Sequence, residues 1–410
     1  MINLKKHTNI ALGYFFLAAL LGVFLRFFFV TSIPANFRYV VHAHSHIALL
    51  GWVYIGLTTL IYKLYFSDEA HRKTYLKIFW FTQVTLLGML FTFPFTGYAL
   101  FSIIFSTLFL IASYFMAWFV IKKVPQKFKE TYSFKCIKAS LWYLVLSSLG
   151  PWAIGGVMAT LGNTSIWYKI SIYFYLHFQY NAWFILALLG IFFYFLEKRD
   201  LMPQSRQLKS FWFLLNSGII LSFFLSVLWV EPHWIFYALA ALGAILQLMA
   251  FYEFFSVIQP AWRSLRSQIL PLEQLLLKVA ATLLIIKVVM QLFSAHPYFA
   301  QLAYNYTDFV IGYLHGTFLG LISITLFAFL QMAGLLKLSK PVFWIYFVGF
   351  LVSEGLIFYK GTGIWLGLPL WENYFVILVA VSSLLPLSVG LMLLRNIFKK
   401  AGTPFLKEEL

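Results

Sequence analysis

Cysteine and charged residues are scarce in this chain. Cys136, which is expected in a basic loop, is the single cysteine among 410 residues, and only 10% of the residues are charged. One cysteine excludes any disulfide within the chain. No polar stretch is long enough to form a soluble domain. Phosphate-cradling glycine loops, zinc-protease patterns and nucleophile elbows do not occur in credible contexts.

What the chain has instead is apolar sequence: 62% of its residues are hydrophobic and 21% aromatic. This composition predicts an all-α, polytopic membrane protein. Apolar runs of about 20 residues, the length that crosses a bilayer, occur twelve times. The predicted spans are 10–31, 40–65, 76–97, 99–121, 138–160, 168–195, 209–230, 234–257, 274–294, 305–332, 341–360 and 373–395. Pro94 and Gly97 mark either a tight turn between two spans or a kink.

Basic residues explain the formal charge of +17 and predict the topology. They cluster at both termini and in alternate loops, a distribution that argues against nucleic acid as a partner. By the positive-inside rule both termini are cytoplasmic. The run after Lys5 and Lys6 lacks an obvious cleavage site and is interpreted as a retained first span, and His7 beside these lysines is expected to be cytoplasmic and solvated. We therefore expect a multi-pass protein of a bacterial-type inner membrane, with the lipid bilayer as its surroundings.

Three alternate histidines, His42, His44 and His46, open the second span in the stretch from Arg38 to Trp52. Each helical residue turns by about 100°, so His42 and His46 share one face and His44 points the opposite way. Ionisable residues inside a span usually have a function. Neutral imidazole is an axial ligand of b-type haem. We therefore hypothesise that this helix binds haem on both sides, and a polar helix interface in a transporter is the alternative.

A weak repeat with a period of four spans links three histidines. His46, His177 and His315 lie in spans two, six and ten, each with a small residue five positions on. The chain is then a single transmembrane domain over 1–410, with repeat-like, pseudo-symmetric four-helix units at about 1–125, 126–265 and 266–410. All three helices start from the predicted external side, so the histidines are expected in the outer part of the bilayer.

The twelve spans, and the histidines on spans two, six and ten, resemble the catalytic subunit of haem-copper oxidases and nitric oxide reductases. The run from His44 to Trp52 is similar to the His-x-His-x-x-x-Leu-Gly-Trp motif of cbb3-type oxidases. In that family the two histidines ligate two haems on opposite sides of one helix. NnrS-type membrane proteins, implicated in nitric oxide tolerance, are a related possibility. The seventh span, 211–230, has no histidine and the tenth has only His315, so the family's three-histidine copper site is not expected.

The candidate ligands of iron are His44, His46, His177 and His315, with His42 either ligating or hydrogen bonding beside them. Without a Cys-x-x-Cys-His motif, one or two haem b groups would be held non-covalently, with copper or no cofactor as alternatives. Arg26 and Arg38 are candidates for pairing with haem propionates, or they are interfacial arginines. Trp52 either stacks on porphyrin or packs in the core.

The function expected from these residues is electron transfer, or binding and reduction of a diatomic gas, nitric oxide or oxygen. A haem-dependent oxidoreductase is included in this expectation, with quinol or another membrane redox subunit as electron donor. Two alternatives use the same residues. One is a secondary transporter with His, Lys287 and Glu354 along a polar pathway. The other is a haem- or copper-handling protein for oxidase assembly.

Overall fold

The computed structural model describes residues 2–66, 70–203 and 206–398, and in these ranges regular secondary structure is exclusively helical. Twelve helices are long and apolar enough to cross a membrane, which confirms the predicted all-α polytopic fold. They are Leu4–Phe27, Phe37–Tyr65, Arg72–Thr96, Leu100–Lys123, Tyr132–Thr160, Ile166–Glu197, Arg206–Val230, Trp234–Gln268, Pro271–Ser294, Thr307–Met332, Lys340–Leu366 and Tyr374–Phe398. We number these helices as spans one to twelve.

Helix caps move several ends away from the hydrophobic runs. Span one begins at Leu4, where the side chain of Asn3 accepts a hydrogen bond from the Lys6 amide. The buried ring of His7 stacks on Phe79, so the expectation that His7 is solvated was wrong. Cys136 was expected in a basic loop, but it is buried within the helical segment Tyr132–Ser147. Polar residues in the first helical turns lower the local hydropathy, so a count of apolar runs placed these helix starts too late in the sequence.

The chain between spans three and four turns tightly, which settles the ambiguity around Pro94. The third span ends at Thr96, and Gly97 has a φ of +58°, a conformation in which a Cβ is disfavoured. A Cβ at Gly97 would also overlap the ring of Tyr39. Glycine is therefore required at this turn both by its φ and by the close approach of span two.

The chain forms two compact units. Unit one comprises Met1–Lys129 and Thr325–Leu410, and unit two comprises Glu130–Ile324. One division, after Lys129, lies between spans four and five, and the other lies within span ten. The three-unit organisation stays a prediction.

Spans two, six and ten are the most enclosed helices. In their most apolar windows 89%, 89% and 67% of residues are buried, against at most 44% in any other span. A helix that is apolar all round and buried all round is an inner helix, because a lipid-facing helix keeps one side exposed. The three spans that carry His46, His177 and His315 are thus shielded by other helices.

Spans seven and eight pack through glycine, which yields a prediction on stability. A Cβ at Gly243 would overlap the backbone nitrogen of Ser222 and lie 2.6 Å from the carbonyl carbon of Leu221. Backbone atoms cannot rotate away, so Gly243→Ala should destabilise the protein by about 1–3 kcal/mol. Gly155→Ala is the matched control, since nothing lies within 4 Å of a Cβ there. Thermal unfolding in detergent should show a lower midpoint for Gly243→Ala alone; equal midpoints would contradict this packing.

Candidate functional site

The second span begins with a capped turn that brings Arg38 into the helix. The side chain of Asn36 accepts hydrogen bonds from the amides of Arg38 and Tyr39. Arg38 was expected just outside the span, but it lies in the first helical turn with an exposed side chain. Its guanidinium therefore faces the surface at this end of unit one.

His42 and His46 lie on one face of span two, towards the end of span three. The ring of His42 lies 4.6 Å from that of Tyr98, and the ring of His46 lies 4.4 Å from that of Phe93. Nδ1 of His46 lies 2.8 Å from the carbonyl oxygen of His42, and its Nε2 lies 3.4 Å from the Tyr98 hydroxyl. The Nε2 contact is long for a hydrogen bond of this kind.

His44 points the other way, towards span one. Its Nδ1 lies 2.9 Å from the carbonyl oxygen of Ala18, and its ring lies against Gly22. A Cβ at Gly22 would approach Cε1 of His44 to 3.1 Å, so glycine gives the imidazole its room. The helical spacing of the sequence predicts these opposite directions.

The two imidazoles share one tautomer. A carbonyl oxygen only accepts hydrogen bonds, so in both His44 and His46 the hydrogen is on Nδ1. In the neutral ring the lone pair is then on Nε2. Ligating histidines in metalloproteins commonly have this arrangement, with one nitrogen donating to a backbone carbonyl and the other bound to metal. In both rings Nε2 is thus the nitrogen that would ligate a metal, on opposite sides of one helix.

His177 is held differently. Its Nε2 donates to the carbonyl oxygen of Ile219 at 2.8 Å, and its Nδ1 accepts a hydrogen bond from Nδ2 of Asn181 at 3.1 Å. Both ring nitrogens therefore have protein partners, and ligation of iron would require one of these bonds to break. The neighbouring Gln179 donates to the hydroxyl group of Ser147.

His315 lies half-buried at the end of the α-helical part Thr307–His315 of span ten. Its two small neighbours differ. Gly312 is buried, whereas no atom lies within 4 Å of a Cβ built at Gly316. Open space beside this part of span ten is therefore found at Gly316.

A π-helical segment starts directly after each of these three histidines. His46 precedes Ile47–Tyr54, His177 precedes Phe178–Trp183, and His315 precedes Gly316–Ile322. π-helices are rare and occur frequently at functional sites, because the wider turn redirects the side chains that follow. Each segment begins at the residue after its histidine, and hydrophobic periodicity gave no signal for any of them.

The remaining predicted residues have protein neighbours. Arg26 interacts electrostatically with the carboxylate of Glu354 and with Tyr374, so a propionate there would share the arginine with Glu354. Trp52 is buried and stacks on Phe15 with ring centroids 4.7 Å apart. It packs in the core of unit one.

Unit two contains a buried polar network around Lys287 that was not predicted from the sequence. Nζ of Lys287 donates to Oδ1 of Asn181 at 2.5 Å and to Oε1 of Gln291 at 2.8 Å. Asn181 in turn donates to His177, which donates to Ile219. Each amide follows its partner by four residues, His177 to Asn181 and Lys287 to Gln291. This spacing on one helical face is the signal that would have indicated the pairs.

Two tyrosines lie beside this network. The rings of Tyr180 and Tyr313 are 6.0 and 5.9 Å from Nζ of Lys287, and their hydroxyl groups interact by a hydrogen bond. Tyr180 and Tyr313 lie at the π-helical parts of spans six and ten, or directly before them. The network therefore joins spans six, seven, nine and ten within unit two.

Among the residues that the structure describes, no three His, Cys, Asp or Glu side chains are grouped closely enough to hold a metal ion. No protein-family model matches the sequence, and the search of curated proteins finds no match.

Proposed function

We propose that this chain is a haem-binding integral membrane protein, with His44 and His46 as axial ligands on opposite faces of span two. The observation that carries the proposal is the tautomer of these two rings. Nδ1 of each ring donates to a backbone carbonyl, so Nε2 is the nitrogen that would bind iron. Iron would take the lone pair of His46 in place of its long contact with Tyr98.

The residues present fit b-type haem better than a bare metal ion. Porphyrin supplies four ligands to iron, so one histidine from the protein is sufficient to complete the site. His315, with open space at Gly316, is the candidate ligand in span ten. We assign His177 to the polar network of Lys287, since both of its nitrogens are engaged there.

The chemical role follows from the number of axial ligands. Haem supplies reversible one-electron chemistry, and with one protein ligand it keeps a position for nitric oxide or oxygen. We propose electron transfer or gas binding in a bacterial-type inner membrane, with both termini cytoplasmic. A quinol or another membrane redox subunit would supply electrons. The resemblance to haem-copper oxidases supports this assignment.

The absorption spectrum of the purified protein tests the proposal. Protein from a haem-replete host should show a Soret band and, after reduction, α-bands of b-type haem. Extraction with pyridine should give one or two haem b per chain, released without covalent attachment. Nitric oxide or carbon monoxide should shift the reduced spectrum where a coordination position is open. A colourless, folded preparation would contradict the proposal.

Secondary transport is the second candidate, and the buried Lys287 favours it. A lysine enclosed in a span is costly and commonly marks a substrate or ion pathway. The two candidates differ in colour: a transporter without pigment should catalyse uptake into proteoliposomes, and haem binding alone should not.

A further inference from the structure

Lys287 is a buried ionisable residue for which haem binding provides no role. Its side chain is 5% exposed in the last third of span nine, Pro271–Ser294. Both of its hydrogen-bond partners are neutral amide oxygens. An unpaired ammonium in a low-dielectric interior is strongly disfavoured unless an anion accompanies it.

The hydrogen bonds around Lys287 are oriented to hold an ammonium group. Asn181 turns Oδ1 to Lys287 because its Nδ2 donates to His177, and His177 is fixed in turn by donating Nε2–H to Ile219. Gln291 likewise presents an oxygen. Two acceptors thus face one amine. An ammonium has three donors, so one N–H remains for a ligand.

The tyrosine pair lies at the same place. The hydroxyl groups of Tyr180 and Tyr313 interact with each other, and they also interact with Asn181 and Thr317, respectively. The faces of both rings lie about 6 Å from Nζ. The remaining N–H of the ammonium group is therefore the donor that suits an acceptor with a negative charge, such as a carboxylate. A cationic ligand would be repelled by Lys287.

We propose that Lys287, Tyr180 and Tyr313 form a binding site for a small monovalent carboxylate in unit two. Lys287 lies seven residues from Ser294, so the site is about 10 Å from that end of span nine. Tyr313 is six residues from Thr307, the start of span ten, which gives a similar depth. The bound carboxylate neutralises Lys287, and the π-helical part of span six places Tyr180 and Asn181 beside it.

Calorimetric titration of the detergent-purified full chain with sodium formate tests this site. Wild type should bind formate saturably at constant ionic strength. Lys287→Gln should weaken binding about tenfold or more, because a charge-assisted hydrogen bond is lost. Tyr313→Phe removes one hydroxyl and should weaken binding severalfold. Lys278→Gln, an exposed lysine on the same helix, should bind as wild type.

The outcomes separate this site from the proposed haem. Should Lys287→Gln fail to fold, Tyr313→Phe decides the question. Absence of saturable binding to wild type, or unchanged affinity in both variants, overturns the carboxylate site. His46→Ala should retain formate binding; loss in that variant would place formate on the iron instead. Because the readout is heat and not colour, a colourless protein that binds formate through Lys287 leaves this inference intact.

Discussion

Replacing His44 and His46 together by alanine should abolish haem binding. Each ring is proposed to donate Nε2 to a different haem, so each single variant should lose one haem equivalent per chain. A b haem has no thioether link to the protein, so the iron–imidazole coordination bond holds it, and alanine offers no ligand in its place. The haem content, measured as the pyridine complex per chain, should therefore fall in steps from wild type to double variant.

Two further histidines serve as controls. His233→Ala removes an exposed imidazole at the start of span eight and should keep full haem content. His42→Ala tests the neighbouring ring on the face of His46. It should also keep haem, because His46 is bonded to the backbone carbonyl of residue 42, which alanine retains. A double His44/His46 variant with the haem content of wild type would show that the ligands lie elsewhere.

Local helical geometry was sufficient to predict the arrangement of the span-two histidines. Residues two apart in a helix differ by about 200°, so alternate side chains point to opposite sides. His44 accordingly lies against Gly22, while His46 lies against Phe93. Hydropathy likewise predicted the twelve spans, because a bilayer demands long apolar runs. Both predictions depend on residues close together in the sequence.

The environment of His177 was beyond reach of the sequence because it depends on distant residues. Its acceptor is a backbone carbonyl 42 residues away. Lys287, which donates to Asn181, lies 106 residues after Asn181 in the chain. A backbone carbonyl has no sequence signature. The π-helical segments were also invisible, since their rotation depends on packing and not on composition. His7 was misjudged for the same reason: the aromatic rings that cover it belong to span three.

The two histidine environments imply different roles within one protein. In His44 and His46 the nitrogen that donates to a backbone carbonyl is Nδ1, an arrangement common in histidines that bind metal through Nε2. His177 uses both nitrogens to orient Asn181 towards Lys287, which suits a residue that positions another. The difference depends on which nitrogen meets a carbonyl oxygen. Substitution of His177 should consequently affect the lysine network before it affects haem content.

Removing the amide of Asn181 should destabilise the protein more than removing the lysine that it holds. Asn181→Leu deprives Lys287 of an acceptor and His177 of a donor, and should lower the free energy of unfolding by about 3 kcal/mol. Lys287→Met removes the charge at similar volume, and should be close to neutral or stabilising, because no ammonium then needs solvation.

The double variant isolates the interaction between the two side chains. With Met at 287, Asn181→Leu should cost only the loss of the His177 contact, so the two effects should be strongly non-additive. Gln83→Leu is the matched control, since this buried amide donates to the backbone carbonyl of Phe79 in its own helix. Unfolding in mixed micelles gives all four free energies. Additive effects of Asn181→Leu and Lys287→Met would mean that Asn181 does not solvate Lys287, and the charge balance inferred for unit two would then lose its physical basis.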